Sequence, residues 1–301
     1  MKSGPNGPQL ADASEPSPCL GIIAGGGAMP AAVAMAARAS GRPVFVVALR
    51  GHADPATLSS FPHVVLRLGA AEEIEAQLRA NGVRDVVLVG AVRRPTPLEL
   101  RPDALMRRLL VRLGRDFFRG DDGLLGSIVR VMSEEGFRVL GAHEVVRDVI
   151  GPSGQLTRAA PDAVALADIQ RGIVVVRALG TADVGQGCVV QQGLVLAVEA
   201  VEGTDAMLAR AGTLAREGEG GVLIKLVKPA QDRRIDLPTI GPTTVEAARR
   251  AGLRGIAYEA EGTMIVDRAA TIAAADAAGL FLLGLGPTML APNVQPGDVV
   301  P

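Results

Sequence analysis

Residues 19–27 read CLGIIAGGG, a short apolar run that ends in Gly25-Gly26-Gly27. A run of this length that passes into a glycine turn predicts a buried parallel strand. Pro30 suits the first turn of the alanine-rich helix that follows, which we predict to end near Gly41. A strand, a tight turn and a helix in this order are typical of the start of an α/β domain with a parallel sheet.

The sequence after this unit continues the same alternation of strands and helices. Further strands are predicted at residues 44–49, 64–68 and 85–89, with a helix at residues 71–80 between the last two. Right-handed crossovers then give an open parallel sheet. We predict a Rossmann-like first domain over residues 19–146.

The second half of the chain predicts a separate α/β domain. Residues 147–161 contain Gly, Pro and Ser without periodicity, which predicts a linker. Residues 162–290 then predict a second, smaller mixed α/β domain with a cleft between the two. Its predicted elements are a helix at 162–179, strands at 188–191 and 194–200 paired through Gln192-Gly193, a helix from Thr204, a strand at 222–225, a helix from Thr243, and a final strand-helix-strand.

Composition excludes several classes of protein. The net charge of -1 and an aromatic content of 2% without Trp disfavour nucleic-acid binding. Cys19 and Cys188 are too few for a disulfide framework or a four-thiolate zinc site.

Residues 1–18 and 291–301 are expected to be tails, and the first of them lacks the apolar stretch of a signal peptide. With no apolar run of about 20 residues, we expect a cytoplasmic protein.

The turn Gly25-Gly26-Gly27 lies where open α/β sheets bind ligands, at the carboxyl end of the first strand. Its N–H groups and the following helix could bind phosphate, although a tight turn that needs glycine for its backbone angles explains the same residues. Pro30 stands where a dinucleotide fingerprint has its third glycine. A nucleotide-dependent oxidoreductase is therefore only an alternative function.

Two acidic clusters are candidate cation ligands. Asp121 and Asp122 follow Gly120 before a helix predicted at residues 124–135, where they could cap the helix or bind a hard cation. Glu199 ends a predicted strand, and Thr204-Asp205 opens the next helix. For this second cluster we favour function over capping.

Residues 225–241, KLVKPAQDRRIDLPTIG, concentrate charge in a connection bounded by Pro and Gly. Lysine occurs at only two positions outside the amino-terminal tail, Lys225 and Lys228, in a chain that otherwise uses arginine. This choice indicates chemistry that needs a compact ammonium. Cations here can screen a pyrophosphate, and carboxylates can position Mg²⁺ or water.

The three histidines, His52, His63 and His143, are too few for a two-metal phosphoesterase.

Residues 101–119 have six arginines against two aspartates and an apolar residue at every fourth position. Such a helix can lie on anionic lipid, and a core-packed helix with a solvated arginine face is the alternative.

Taken together, the motifs IIAGGGAMP, GDDGLL, EGFRVLGAHEV, DVGQGCVV, GLVLAVEAVEGTDAM, KLVKPAQDRRIDLPTIG and GLFLLG resemble those of the LpxI-type UDP-2,3-diacylglucosamine pyrophosphatases of lipid A biosynthesis. The resemblance runs from Leu20 to about Gly286. It implies two α/β domains that hold the diacylated sugar phosphate between them, dependence on Mg²⁺, and release of UMP and 2,3-diacylglucosamine 1-phosphate (lipid X). It also implies a homodimer. Because the acyl chains of such a substrate start in a bilayer and the basic stretch 101–119 could approach anionic headgroups, we expect a peripheral position at the inner membrane.

By this resemblance, Asp236 of the DLPTIG motif is the residue most closely tied to catalysis. A carrier that binds the nucleotide-linked lipid without cleaving it remains a further alternative. The expected catalytic residues are Asp236, Lys225, Lys228 and Gln231. The expected substrate contacts are Gly25, Gly26, Gly27, Asp121, Asp122, Thr204, Arg234 and Thr239. The expected Mg²⁺ ligands are Asp236, Glu199, Asp205 and Asp122.

Overall fold

The run CLGIIA forms the central strand of a five-stranded sheet in a computed structural model that describes residues 18–93, 100–113, 121–229 and 237–291. The sheet order is β3-β2-β1-β4-β5, and every pairing is parallel. Successive strands therefore run outward on one side of β1 and then on the other, so the order reverses between β1 and β4. The strands are β1 (Cys19–Ala24), β2 (Val44–Leu49), β3 (His63–Leu66), β4 (Val83–Val89) and β5 (Arg138–Leu140).

Helices connect these strands as βαβ crossovers require. The helices of the first domain are α1 (Met29–Ala39), α2 (Ala71–Ala80), α3 (Ala104–Leu113), α4 (Asp121–Glu134) and α5 (Ala142–Val145), with 3₁₀ turns at Pro55–Leu58 and Arg147–Val149. The predicted parallel sheet is thus confirmed. The strand predicted at 64–68 begins one residue earlier, and the helix predicted at 124–135 begins already at Asp121.

The second domain contains a six-stranded mixed sheet in the order β6-β13-β11-β9-β7-β8. Strands β9, β11 and β13 are parallel, whereas β6, β7 and β8 pair antiparallel with their neighbours. A short parallel pair, β10 with β12, lies apart from it. The strands are β6 (Gly154–Gln155), β7 (Gly187–Gln191), β8 (Leu194–Val198), β9 (Val222–Lys225), β10 (Thr239–Ile240), β11 (Gly255–Glu259), β12 (Met264–Ile265) and β13 (Phe281–Leu285).

The helices of this domain are α6 (Ala163–Thr181), α7 (Gly203–Thr213), α8 (Pro242–Arg250), α9 (Arg268–Ala278) and α10 (Pro287–Leu290). One apolar cluster packs α6 against the sheet, and another packs α7, α8 and α9 against the opposite face. The predicted mixed α/β domain is confirmed, although its sheet is the larger of the two.

The predicted turn Gln192-Gly193 joins β7 to β8, with φ of 54° and 78° at the two residues. Positive φ at both central residues is the geometry that matches the twist of a hairpin. The buried Asp168 of α6 fixes this turn, because its carboxylate accepts hydrogen bonds from the N–H groups of Gln192 (3.0 Å) and Gly193 (2.6 Å).

The segment predicted as a linker is in part built into the second domain, which corrects that prediction. Gly154 and Gln155 pair with β13, and Ile150 forms a bridge to Met264. The contact is made by backbone: a Cβ on Gly284 would lie 2.0 Å from the carbonyl oxygen of Pro152. Close backbone packing of this kind leaves no periodic side-chain signal, so the sequence pattern missed it.

The two domains share apolar packing. Leu237 and Met264 of the second domain belong to the same buried cluster as Val33 and Leu20 of the first. Beside this cluster Arg268 donates hydrogen bonds to the carbonyl oxygens of Asp148 and Ile150. The described contact between the two domains is therefore at least partly apolar, and the interdomain cleft stays a prediction. None of the helices in the described part of the chain is long and apolar enough to cross a membrane.

Candidate active site

Lys225 lies at the carboxyl end of β9, near the middle of the second sheet. Its strand neighbours alternate, with Leu223 in the cluster beneath α7 and α8 and Ile224 in the cluster beneath α6. Lys225 is two residues after Leu223, so its side chain lies on the same face of the sheet. Lys225 is only 3% exposed. Its Nζ donates hydrogen bonds to Oγ1 of Thr204 (2.7 Å) and to the carbonyl oxygen of Thr239 (3.4 Å).

Thr204 connects this buried ammonium to a buried carboxylate. Its hydroxyl accepts from Lys225 and donates to Oε1 of Glu199 at 2.6 Å. Glu199 is 6% exposed, and its Oε2 is buried without a hydrogen-bond partner among the described residues. The structure therefore brings together two groups that the sequence had suggested separately. Glu199 and Thr204 belong to the acidic cluster, and Lys225 and the backbone of Thr239 belong to the charged segment 225–241.

Two glycines make room for Glu199. A Cβ on Gly185 would lie 2.0 Å from the carbonyl oxygen of Glu199, and a Cβ on Gly187 would lie 2.8 Å from its Oε2. Any larger residue at these positions would displace the carboxylate or its backbone. This close approach explains the two glycines of the DVGQGCVV motif.

Lys228 has different surroundings from Lys225. It is 9% exposed, and its Nζ pairs with Oδ1 of Asp183 at 2.7 Å. Asp183 follows the end of α6 with a φ of 53°, a left-handed conformation usually taken by glycine at this place. Because α6 covers one face of the sheet and α7 the other, the described contacts direct the two lysines to opposite faces.

A cavity of about 340 Å³ opens beside Lys228. It is lined by Arg177, Lys228 and Glu259 together with apolar side chains such as Leu226. Glu259 ends β11, and its Oε2 accepts a hydrogen bond from the N–H of Val227 at 3.1 Å. This cavity lies within the second domain, at the carboxyl ends of β9 and β11.

The glycine turn of the first domain is mostly occupied by backbone contacts. The N–H of Gly25 donates to the carbonyl of Val89, and Gly26 and Ala91 exchange two hydrogen bonds. A Cβ on Gly25 would lie 2.6 Å from the carbonyl oxygens of Gly90 and Ala91. Gly27 has a φ of 89° and precedes the uncapped start of α1. Gly25 and Gly26 thus serve close packing where β1 and β4 end, and their contact with substrate stays a prediction.

A second cavity, of about 610 Å³, lies at the amino ends of β4 and β5 and is lined by several arginines. Asp85 here is buried and pairs with Arg42 and Arg138. Burial alone would raise the pKa of Asp85, but hydrogen bonds from Arg138 and Arg42 outweigh burial and lower the pKa. Ligands of open α/β sheets bind at the opposite edge, so we interpret this group as a structural ion cluster.

The described part of the chain does not place the other predicted site residues beside Glu199 and Lys225. Asp205 is exposed in the first turn of α7. Asp236, Gln231 and Arg234, and the side chains of Asp121 and Asp122, lie outside the described part of the chain. Within that part no group of three or more His, Cys, Asp or Glu side chains could hold a metal ion. Of the expected Mg²⁺ ligands, only Glu199 offers a buried and unpartnered oxygen there.

The described hydrogen bonds of the histidines do not include Lys225. Nδ1 of His52 accepts from the N–H of Arg93, and Nδ1 of His63 contacts the carbonyl of Phe61. Nδ1 of His143 is buried without a partner among the described residues.

Sequence reasoning missed Asp183 and Glu259. Asp183 is the first residue of the DVGQGCVV motif. An acidic residue just before two closely spaced glycines was the sequence feature that could have indicated it. Glu259 follows the buried run GIAY, as Glu199 follows LAV, so a carboxylate at the end of an apolar strand was the shared signal.

Comparison with known proteins gives a family. Residues 19–149 match the model of the LpxI N-terminal domain, and residues 152–283 match that of the LpxI C-terminal domain. The chain is also 45% identical to the UDP-2,3-diacylglucosamine pyrophosphatase LpxI of Caulobacter vibrioides. The match extends over 274 residues, which are 89% of this chain and 98% of the relative. The chain therefore belongs to the LpxI family.

Proposed function

We propose that this protein hydrolyses the pyrophosphate bond of UDP-2,3-diacylglucosamine and releases UMP and 2,3-diacylglucosamine 1-phosphate in lipid A biosynthesis. The observation that carries the proposal is the 45% identity, over 89% of the chain, to a relative named for this activity. The buried Lys225 at the carboxyl edge of the second sheet gives the proposal a chemical basis.

Cleavage of a pyrophosphate requires a placed water and cations near the charge that develops on the phosphoryl oxygens. Lys225 can supply one such cation, because an ammonium has three N–H donors and the described contacts account for two. Its low exposure strengthens the attraction to a phosphate oxygen, since the local dielectric is low.

We propose that the reaction requires Mg²⁺ as a cofactor. We propose its ligands among Asp236, Glu199, Asp205 and Asp122, of which Glu199 has a free oxygen in the described part of the chain. When bound, Mg²⁺ would neutralise charge on the pyrophosphate. We also propose that the protein is a homodimer.

The test is incubation of the purified protein with UDP-2,3-diacylglucosamine and Mg²⁺, followed by separation of the products. We expect stoichiometric UMP and 2,3-diacylglucosamine 1-phosphate. Tight binding without UMP would indicate a carrier, and an NAD(P)H-dependent absorbance change would indicate an oxidoreductase.

The lysines provide a test of how charge is used. We expect Lys225→Ala and Lys228→Ala each to lower activity by roughly 10- to 100-fold, because a phosphate oxygen loses a cation. Arginine at either position should restore only part of the loss, since a planar guanidinium does not replace a compact ammonium in a buried site. Steady-state UMP release gives the measurement, with Lys2→Ala as the matched control. Full recovery by arginine would show that positive charge alone is needed.

We further propose that the protein binds the inner-membrane surface without insertion. In α3 the described side chains are exposed or only half-buried, Arg107 and Arg108 are exposed, and Val111 is 81% exposed. An amphipathic helix with exposed apolar and cationic groups can lie on anionic lipid.

Vesicle flotation tests this helix. We expect the protein to float with anionic vesicles and to dissociate as salt is added, because the attraction is electrostatic. Arg107→Glu, Arg108→Glu and Arg112→Glu together should abolish flotation. The control reverses Arg249 and Arg250, two exposed arginines of α8. Equal flotation of all three proteins would favour the alternative for α3, a core-packed helix with a solvated arginine face.

A further inference from the structure

We propose that Thr204 and Glu199 act as positioning residues that hold the ammonium of Lys225 in the orientation required by the proposed reaction. The inference rests on the proposed function for its kinetic test, but its structural test does not require substrate. It gives Glu199 a role through Oε1 that is different from metal binding.

The first support is the direction of the hydrogen bonds. A lysine ammonium can only donate and a carboxylate can only accept, whereas a hydroxyl can do both. Thr204 therefore donates to Glu199 Oε1 at 2.6 Å and presents its lone pair to Lys225 Nζ at 2.7 Å. The carboxylate thus fixes the hydroxyl, and the hydroxyl fixes the ammonium.

The second support is electrostatic. Thr204 is in the first turn of α7, where unpaired N–H groups make the helix end positive. A buried ammonium beside this end would be repelled unless an anion offset both charges. Glu199 is the buried carboxylate in hydrogen-bond contact with Thr204, so it stabilises Lys225 against the helix end.

The third support is the space around Glu199. Gly185 and Gly187 allow backbone and carboxylate to approach within distances that a Cβ would prevent. The glycines thus admit the carboxylate at its position beside Thr204. Within the described residues, the contacts of Lys225 use two of its three N–H groups, so one remains to meet a phosphate oxygen.

The kinetic test compares Thr204→Val, which keeps the shape and removes the hydroxyl, with Thr204→Ser, which keeps the hydroxyl. We expect Thr204→Val to lower kcat by about 10- to 100-fold. Thr204→Ser should stay within a few-fold of wild type. Thr213→Val is the matched control, because Thr213 is an exposed threonine of the same helix whose hydroxyl donates to a backbone carbonyl. Equal activity of Thr204→Val and wild type, or equal loss in Val and Ser, would overturn the inference.

The second readout is spectroscopic and needs no substrate. Since the chain has three lysines, ¹⁵N-lysine labelling gives at most three ammonium signals, assigned by the Lys225→Ala and Lys228→Ala variants. Hydrogen-bonded buried ammonium protons exchange slowly with water, so we expect a resolved Lys225 signal in wild type and Thr204→Ser. The signal should disappear or move in Thr204→Val while the Lys228 signal stays.

An unchanged Lys225 signal in Thr204→Val would contradict the positioning role. If wild type releases no UMP but the Lys225 signal still depends on the Thr204 hydroxyl, the proposed reaction fails and the contact stands. A third variant, Glu199→Gln, separates positioning from metal binding. We expect its loss of kcat to persist at high Mg²⁺, and full recovery by added Mg²⁺ would show that Glu199 acts as a metal ligand instead.

Discussion

Asp236→Ala is expected to lower kcat for UMP release by about 10²–10³-fold, the usual cost of removing one electrostatic group from an active site. Substrate affinity should change little, because a group that positions Mg²⁺ or water contributes mainly in the transition state. The substitution should not unfold the domain. Asp236 directly precedes Leu237, whose buried side chain in the shared apolar cluster is not altered by the substitution.

Two further variants make this experiment specific. Asp236→Asn keeps the shape and removes the charge, so we expect it to be nearly as inactive as Asp236→Ala. Asp232→Ala, in the same charged segment, is the matched control and should retain most activity. UMP release is measured beside retention of the diacylated substrate. A folded Asp236→Ala protein that turns over within a few-fold of wild type would exclude Asp236 from the mechanism.

Removal of divalent cations is expected to abolish turnover altogether, and added Mg²⁺ should restore it. The reason lies in the donors the chain offers, which are carboxylates with almost no His or Cys, and hard oxygen donors suit Mg²⁺. Zinc as the sole metal should be ineffective, since it favours nitrogen and sulfur ligands.

The measurement is UMP release after treatment with EDTA, followed by titration with Mg²⁺ or Zn²⁺. The heat-induced unfolding temperature of the EDTA-treated protein serves as the control for intact folding. Full activity in thoroughly metal-free buffer would contradict the prediction and leave Lys225 and Lys228 as the proposed cations.

Much of the fold was predictable because the strands are short apolar runs bounded by glycine or charge. The predicted bounds of β1, β2, β9 and α2 agree with the structure. Edge strand β6 was missed because backbone contacts of Gly154 and Gly284, rather than alternating side chains, place it in the sheet.

The site was predictable residue by residue but not as an arrangement. Unusual residue types singled out Lys225 and Lys228, and strand ends singled out Glu199. Which partners they meet depends on the strand order, in which β9 lies between β7 and β11. That order brings Thr204 to Lys225 from 21 residues away and sends Lys228 to Asp183 instead. A linear pattern carries no information on such non-local pairing.

The apolar cluster shared by the two domains also has a thermodynamic consequence. Because Leu237 and Met264 are buried among first-domain residues such as Leu20 and Val33, neither half can lose its structure without exposing apolar surface of the other. We therefore expect the unfolding of the two halves to be coupled, and a single heat-induced transition would show this coupling, whereas two transitions would contradict it. One melting temperature then reports the integrity of the whole chain, whichever half a substitution is made in.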